Sequence, residues 1–331
     1  MTARPHFPAP TAPAAPARRN RTATATNAFL RRSILAAARN RAVRRFVGKH
    51  GMRLGAARFI AGETLEEAVG VLRGLNEQGL AANTTLLGED TAAEEEAAAV
   101  ADEYGRILER IYAEGLRVNV ALKLTHLGLE LGSEIAYQNL ERVVARAGEL
   151  GNFIRIDMEA SACVEPTLAI YRRLRAAGHD NVGVVLQSYL YRSPEDLEAL
   201  LPLRPNLRLV KGAYLESASV AYPAKEDVGA AYLRLLERSL LGGAHTCVAT
   251  HDERLIEHAI AFAEREGIAR DRFEFQLLYG VRPKLQLDLA ARGYKVLVAT
   301  PFGPEWFPYL MRRLAERPAN LTFVLKTLLR R

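Results

Sequence analysis

Two adjacent arginines, Arg312 and Arg313, lie in the stretch "WFPYLMRRLAER", with Tyr309 one turn before them and Glu316 one turn after. The spacing i, i+3, i+4, i+7 puts these four on one face of a helix and leaves Phe307, Leu310, Met311 and Leu314 on the opposite face. Two readings stay open: a solvated charged stripe, or two planar guanidinium forks that grip a carboxylate in a bidentate way that lysine cannot copy. A second set of chemically able residues closes a series of short β-rich apolar runs. These are Glu89 in "NTTLLGE", Lys123 in "RVNVALKLTH", Asp157 in "NFIRIDME", Gln187 in "NVGVVLQSY", Lys211 in "NLRLVKGAY", His251 in "HTCVATHD", Gln276 in "FEFQLLYG" and Thr300 in "KVLVATPFG". Brought together, they make a mixed-charge pocket in which Lys123 and the two arginines could surround one small anion.

The elements that must bring them together are legible in the same runs. There are eight, beginning roughly 30 residues apart and separated by helical stretches such as "SEIAYQNLERVVARAGELG". Strands alternating with helices at this spacing imply βαβ units and parallel strands, and runs this apolar suit strands buried on both faces. Eight units predict a (β/α)8 barrel, whose active site forms at the C-terminal ends of its strands. An open doubly wound sheet would commonly carry GxGxxG after its first strand, and no GxGxxG occurs here. A helix leaving the eighth strand normally turns its polar face to water; lying over the mouth instead, it would point Arg312 and Arg313 at a ligand.

Charge marks the organisation of the chain. The net charge of +7 over 331 residues is local: residues 1–50 hold eleven Lys or Arg and no Asp or Glu, leaving the rest at −4. A nucleic-acid binder would carry its basicity across the folded body, so no nucleic-acid partner is expected. Residues 1–27, rich in Pro, Ala and Arg, read as a disordered tail, residues 28–79 as an N-terminal helical segment, and residues 80–331 as the catalytic barrel. The basic stretch "FLRRSILAAARNRAVRRFV" either caps the body or is drawn to anionic lipid. Cys163 and Cys247 are too few for a disulfide framework, and no apolar run reaches the roughly 18 residues of a membrane span. The expected location is cytoplasmic, with peripheral contact at the inner membrane.

At this point the chain resembles proline dehydrogenase of the stand-alone bacterial type. "RFIAGETLEEA", "LLGE", "VALKLTHLGLEL", "IRIDME", "VVLQSY", "RLVKGAY", "VATHD", "EFQLLYG" and "YLMRRLAERPAN" occur in the family's order over about residues 58 to 325, and "RLVKGAY" and "YLMRR" are the most specific. The resemblance implies a distorted (β/α)8 barrel of the TIM type with N-terminal helices and a C-terminal helix over its mouth. It implies non-covalent FAD and oxidation of L-proline to Δ1-pyrroline-5-carboxylate by hydride transfer from proline C5 to flavin N5. Lys123, Arg312 and Arg313 would hold the carboxylate, with Glu89 as a gate that pairs with Arg312 in the empty site. Tyr214, Leu278 and Tyr309 would line the ring, and Asp157 and Arg208 would stand at the reacting centre. Met158, Gln187, Arg208, Val210, Lys211, Gly212, Ala213, Thr250, His251 and Gln276 would contact the flavin, Gly212 by letting the backbone approach it closely. Ala299 stands where relatives often have tyrosine, a roomier wall that bears on selectivity over hydroxyproline. With no NAD fingerprint and no second dehydrogenase domain after the barrel, electrons are expected to pass to a quinone and the product to a separate pyrroline-5-carboxylate dehydrogenase. The alternative is a metal-dependent barrel hydrolase using His126, His251 and Asp252, disfavoured by the missing HxH pair and the cationic mouth.

Overall fold

Eight parallel strands close on themselves in sequence order, β1 next to β2 and finally β8 next to β1. They are β1 (Ala81–Leu86), β2 (Val118–Leu122), β3 (Ile154–Ile156), β4 (Val182–Gln187), β5 (Asn206–Val210), β6 (His245–Ala249), β7 (Phe273–Leu278) and β8 (Val296–Phe302). Seven fall within the expected runs, and β1 overlaps its run but begins two residues earlier, at Ala81. The computed structural model describes residues 56–316, with side chains up to Met311. The expected tail at 1–27, the basic stretch within 28–49 and the side chains of Arg312 and Arg313 therefore lie outside the described residues.

The helices are amphipathic and bury their apolar stripes on the outside of the barrel. In α1 (Leu65–Glu77), Ala68, Val69, Leu72 and Leu75 are buried. Its start is fixed by a capping box, with Thr64 accepting from the Glu67 N–H and Glu67 reaching back to the Thr64 backbone. Then come α2 (Glu94–Ala113), α3 (Ser133–Glu149), α4 (Val164–Ala176), α5 (Ser193–Leu200), α6 (Lys225–Leu241), α7 (Glu253–Arg265) and α8 (Pro283–Ala291). The last, α9 (Trp306–Glu316), buries Trp306, Phe307, Leu310 and Met311. The stretch before α1 is tied to β8, since Ala61 N–H donates to the Pro301 carbonyl and Gly303 N–H to that of Gly62.

Inside the barrel the side chains depart from the usual filling of Val, Ile and Leu. Cross-strand register runs Asn83–Asn119, Ala121–Arg155–Gly183, Val185–Arg208–Cys247–Glu274 and Gln276–Leu297. Of these, Asn83, Arg155, Arg208, Glu274 and Gln276 are each under a tenth exposed. Gly183 makes room for one of them: a Cβ there would meet Arg155 Nη1 and the Asn206 carbonyl, each at 2.4 Å.

Candidate active site

The strand ends open into a cavity of about 830 Å³ at the C-terminal mouth of the barrel. Its wall includes all ten residues expected to contact a flavin: Met158, Gln187, Arg208, Val210, Lys211, Gly212, Ala213, Thr250, His251 and Gln276. It also includes Lys123, Asp157, Tyr214, Leu278 and Tyr309. Tyr309 places α9 against the mouth, as the spacing of "YLMRR" required if the helix were to cover it. Glu89 is not in the wall; its carboxylate pairs with the Lys123 ammonium at the edge. The expected partner, Arg312, lies outside the described side chains.

Parallel strands set these positions simply. Lys123, Asp157 and Lys211 each follow directly on the last residue of a strand, where chain direction aims them at the mouth. Arg208 lies two residues deeper in β5 and reaches up among three acceptors. Its Nη1 donates to Asp157 Oδ1 at 2.6 Å, its Nε to Gln276 Oε1 at 2.5 Å, and its Nη2 to Asn83 Oδ1 at 2.7 Å. A guanidinium has five N–H groups in a rigid fork, so this seating leaves donors for the cavity that Arg208 lines. Lys211 Nζ meets Asp252 Oδ2 at 3.0 Å, and Arg254 Nε meets Asp252 Oδ1 at 3.3 Å. Burial pushes the Asp252 carboxyl up, but Arg254 and Lys211 outweigh it and bring the group down to about 2. His251 accepts the Leu278 N–H at Nε2, 3.0 Å away, so its neutral ring carries the proton on Nδ1. Gln187 donates its amide to the Glu159 carbonyl at 2.8 Å, while both Glu159 oxygens accept from Thr125.

Several expectations are corrected. Thr300 does not join the mouth: it is fully buried within β8, its hydroxyl on the Val298 carbonyl, and neighbouring Ala299 faces the cavity instead. Gln276 is inside β7 rather than at its end, with its amide oxygen on Arg208 and its amide nitrogen on Glu274 at 2.6 Å. Gly212 keeps its place in the cavity wall, with a backbone φ of +111° and the Tyr189 ring 2.2 Å from where a Cβ would lie. The hydrolase ligands do not assemble. His126 packs its ring under Gly88, His251 serves Leu278, and Asp252 is held by Lys211 and Arg254. Sequence reasoning missed Asn83, Glu274 and Phe59, the last a lining residue contributed from before α1. The signal for the first two was a polar residue in mid-strand, in "AANTT" and "FEFQLL".

A family model described as proline dehydrogenase matches residues 68–326. The chain belongs to the proline dehydrogenase family. It is 43% identical over 303 residues to Proline dehydrogenase 1 of Bacillus subtilis (strain 168), covering 92% of this chain and 100% of that protein. It is 45% identical over 279 residues to Proline dehydrogenase of Deinococcus radiodurans, covering 83% of this chain and 90% of the relative. Among solved structures it resembles proline utilization A from Bdellovibrio bacteriovorus inactivated by N-propargylglycine, with a TM-score of 0.76 at 25% identity over 88% of this chain and 36% of that one. As a proline dehydrogenase the chain is an oxidoreductase that oxidises proline, and the hydrolase reading is set aside.

Proposed function

We propose that the cavity holds FAD non-covalently and that L-proline is oxidised there to Δ1-pyrroline-5-carboxylate, with electrons passed on to a quinone. The observation that carries the reading is Arg208, seated by three acceptors in the wall of a cavity large enough for a dinucleotide. The residues fit the cofactor's chemistry: a cation for a ring that gains negative charge, Lys211, Arg254 and Arg282 for phosphates, and His251 with its proton on Nδ1 as a donor. Bound flavin would supply, at N5, the acceptor for the hydride on proline C5.

The chain's own residues do the rest. Lys123, with Arg312 and Arg313, takes the substrate carboxylate, and fixing that end orients the ring. Tyr309 on α9 supports this assignment, since helical spacing sets positions 312 and 313 one turn on from a cavity-lining residue. Tyr214, Leu278 and Tyr309 enclose the ring and exclude water. Asp157 balances Arg208, and Glu89 balances Lys123 until a substrate carboxylate replaces it. Among the described residues no helix is long and apolar enough to cross a membrane; the basic segment 28–49 brings the protein to an anionic surface, where a quinone is at hand. A separate pyrroline-5-carboxylate dehydrogenase then takes the product.

Purified protein should be yellow and release its flavin on denaturation. Colourless protein that takes up no FAD would refute the cofactor, and flavin that stays on the polypeptide would refute its non-covalent binding.

A further inference from the structure

A column of buried polar side chains lies beneath the cavity. Glu274 is 3% exposed and sits two residues below Gln276 on the same inward face of β7. Its carboxylate meets Lys295 Nζ at 2.8 Å and lies 3.5 Å from His245 Nε2. Burial pushes this carboxyl up, but His245 and Lys295 outweigh burial and hold it well below the usual carboxylate range. An ionised carboxylate only accepts hydrogen bonds. It therefore demands the NH2 end of the Gln276 amide, and the opposite end must be the oxygen that faces Arg208 Nε. Turned over, the same amide would set NH2 against a guanidinium N–H.

We infer that Glu274 is a positioning residue for the reaction: it locks the amide of Gln276 and, through it, aims Arg208 into the cavity. Gln276 thus has a second part besides lining the cavity, its two polar ends engaged with Glu274 and with Arg208. Asn83 does the same for Nη2, its amide nitrogen engaged with Asn119 and its oxygen with Arg208. The inference rests on the flavin reading above.

The test compares parent holoprotein with Glu274→Gln, Gln276→Met and the double variant, each titrated for the flavin midpoint potential and FAD affinity. Loss of a negative charge acting directly through space would raise the midpoint. Loss of aim of Arg208, which stabilises the reduced, more negative ring, would lower it. The inference predicts a lowered midpoint in Glu274→Gln, FAD bound about 10-fold more weakly, and no further change when Glu274→Gln is added to Gln276→Met. A midpoint that is unchanged or raised, or additive effects in the double variant, overturns it. If Glu274→Gln gives no folded holoprotein, Gln276→Met decides: a parental midpoint there overturns the inference and a lowered one supports it. Flavin-free parent protein would instead refute the underlying cofactor reading.

Discussion

Arg155 and Arg208 stand inside one barrel, on β3 and β5, yet their surroundings differ. Arg155 sits toward the floor, 2% exposed, donating to the carbonyls of Val184 at 3.0 Å and Asn206 at 2.7 Å, to the Asn206 amide oxygen and to Cys247. Among the described residues no carboxylate bonds to it; burial, with Arg208 nearby, lowers its pKa, and burial likewise pushes the Cys247 thiol up to about 12. Arg208, nearer the mouth, has Asp157 as a counter-ion and lines the cavity. A guanidinium boxed in by neutral acceptors is part of the framework. One set against an anion, with donors left for an open space, is ready for a ligand. Residue type and burial alone would not have separated them.

Substitution of either arginine should separate the two roles. Arg155→Ala strips the Val184 and Asn206 carbonyls of their buried donor and leaves a void, which should cost about 3–5 kcal/mol of stability. Urea unfolding would measure this, and folded molecules that remain should turn over proline at the parental rate; an equal loss of turnover would erase the distinction. Arg208→Ala should do the reverse. Proline turnover falls about 10²–10³-fold, equivalent to about 2.7–4 kcal/mol, as for loss of one preorganised donor, while the unfolding midpoint moves less than in Arg155→Ala.

A smaller effect is expected at the helix over the mouth. Arg312→Ala or Arg313→Ala removes a charge-assisted hydrogen bond of about 1.5–3 kcal/mol, or about 10- to 150-fold in proline affinity. Arg312→Lys should recover only part of that, because lysine keeps the charge without the fork. Parental affinity in all three would return these arginines to a solvated face.

The smallest effect concerns a cation the mouth avoids. His126 lies under Gly88 beside Lys123, and burial together with Lys123 lowers its pKa to about 4. Unfolded chains bind a proton at this position below about pH 6.5, whereas the folded protein resists it down to about 4. Its contribution to stability is thus complete above pH 6.5 and lost progressively as pH falls toward 4. Unfolding free energies at pH 7.5 and 5.0 should differ less in His126→Gln than in the parent; an equal difference would mean that other groups set the slope.

Much of this was legible in the sequence. Eight apolar runs at regular spacing announced the barrel, and Lys123, Asp157 and Lys211 stand at strand ends as read. Thr300 failed by one residue, because alternation along a strand sends a neighbour to the opposite face, and composition does not reveal which face is inward. The seating of Arg208 was out of reach for another reason. Its partners Gln276 and Asn83 lie 68 and 125 residues away in sequence, and only closure of the barrel brings those strands across from β5. Glu274 was hidden by its burial in a run otherwise read as core.

The account rests on proline giving its hydride to a flavin in this cavity. Its most direct test is the visible spectrum of purified holoprotein, titrated anaerobically with L-proline. The account predicts loss of the oxidised-flavin absorbance with added proline and its return on adding a quinone analogue. A flavin that stays oxidised in excess L-proline would contradict it.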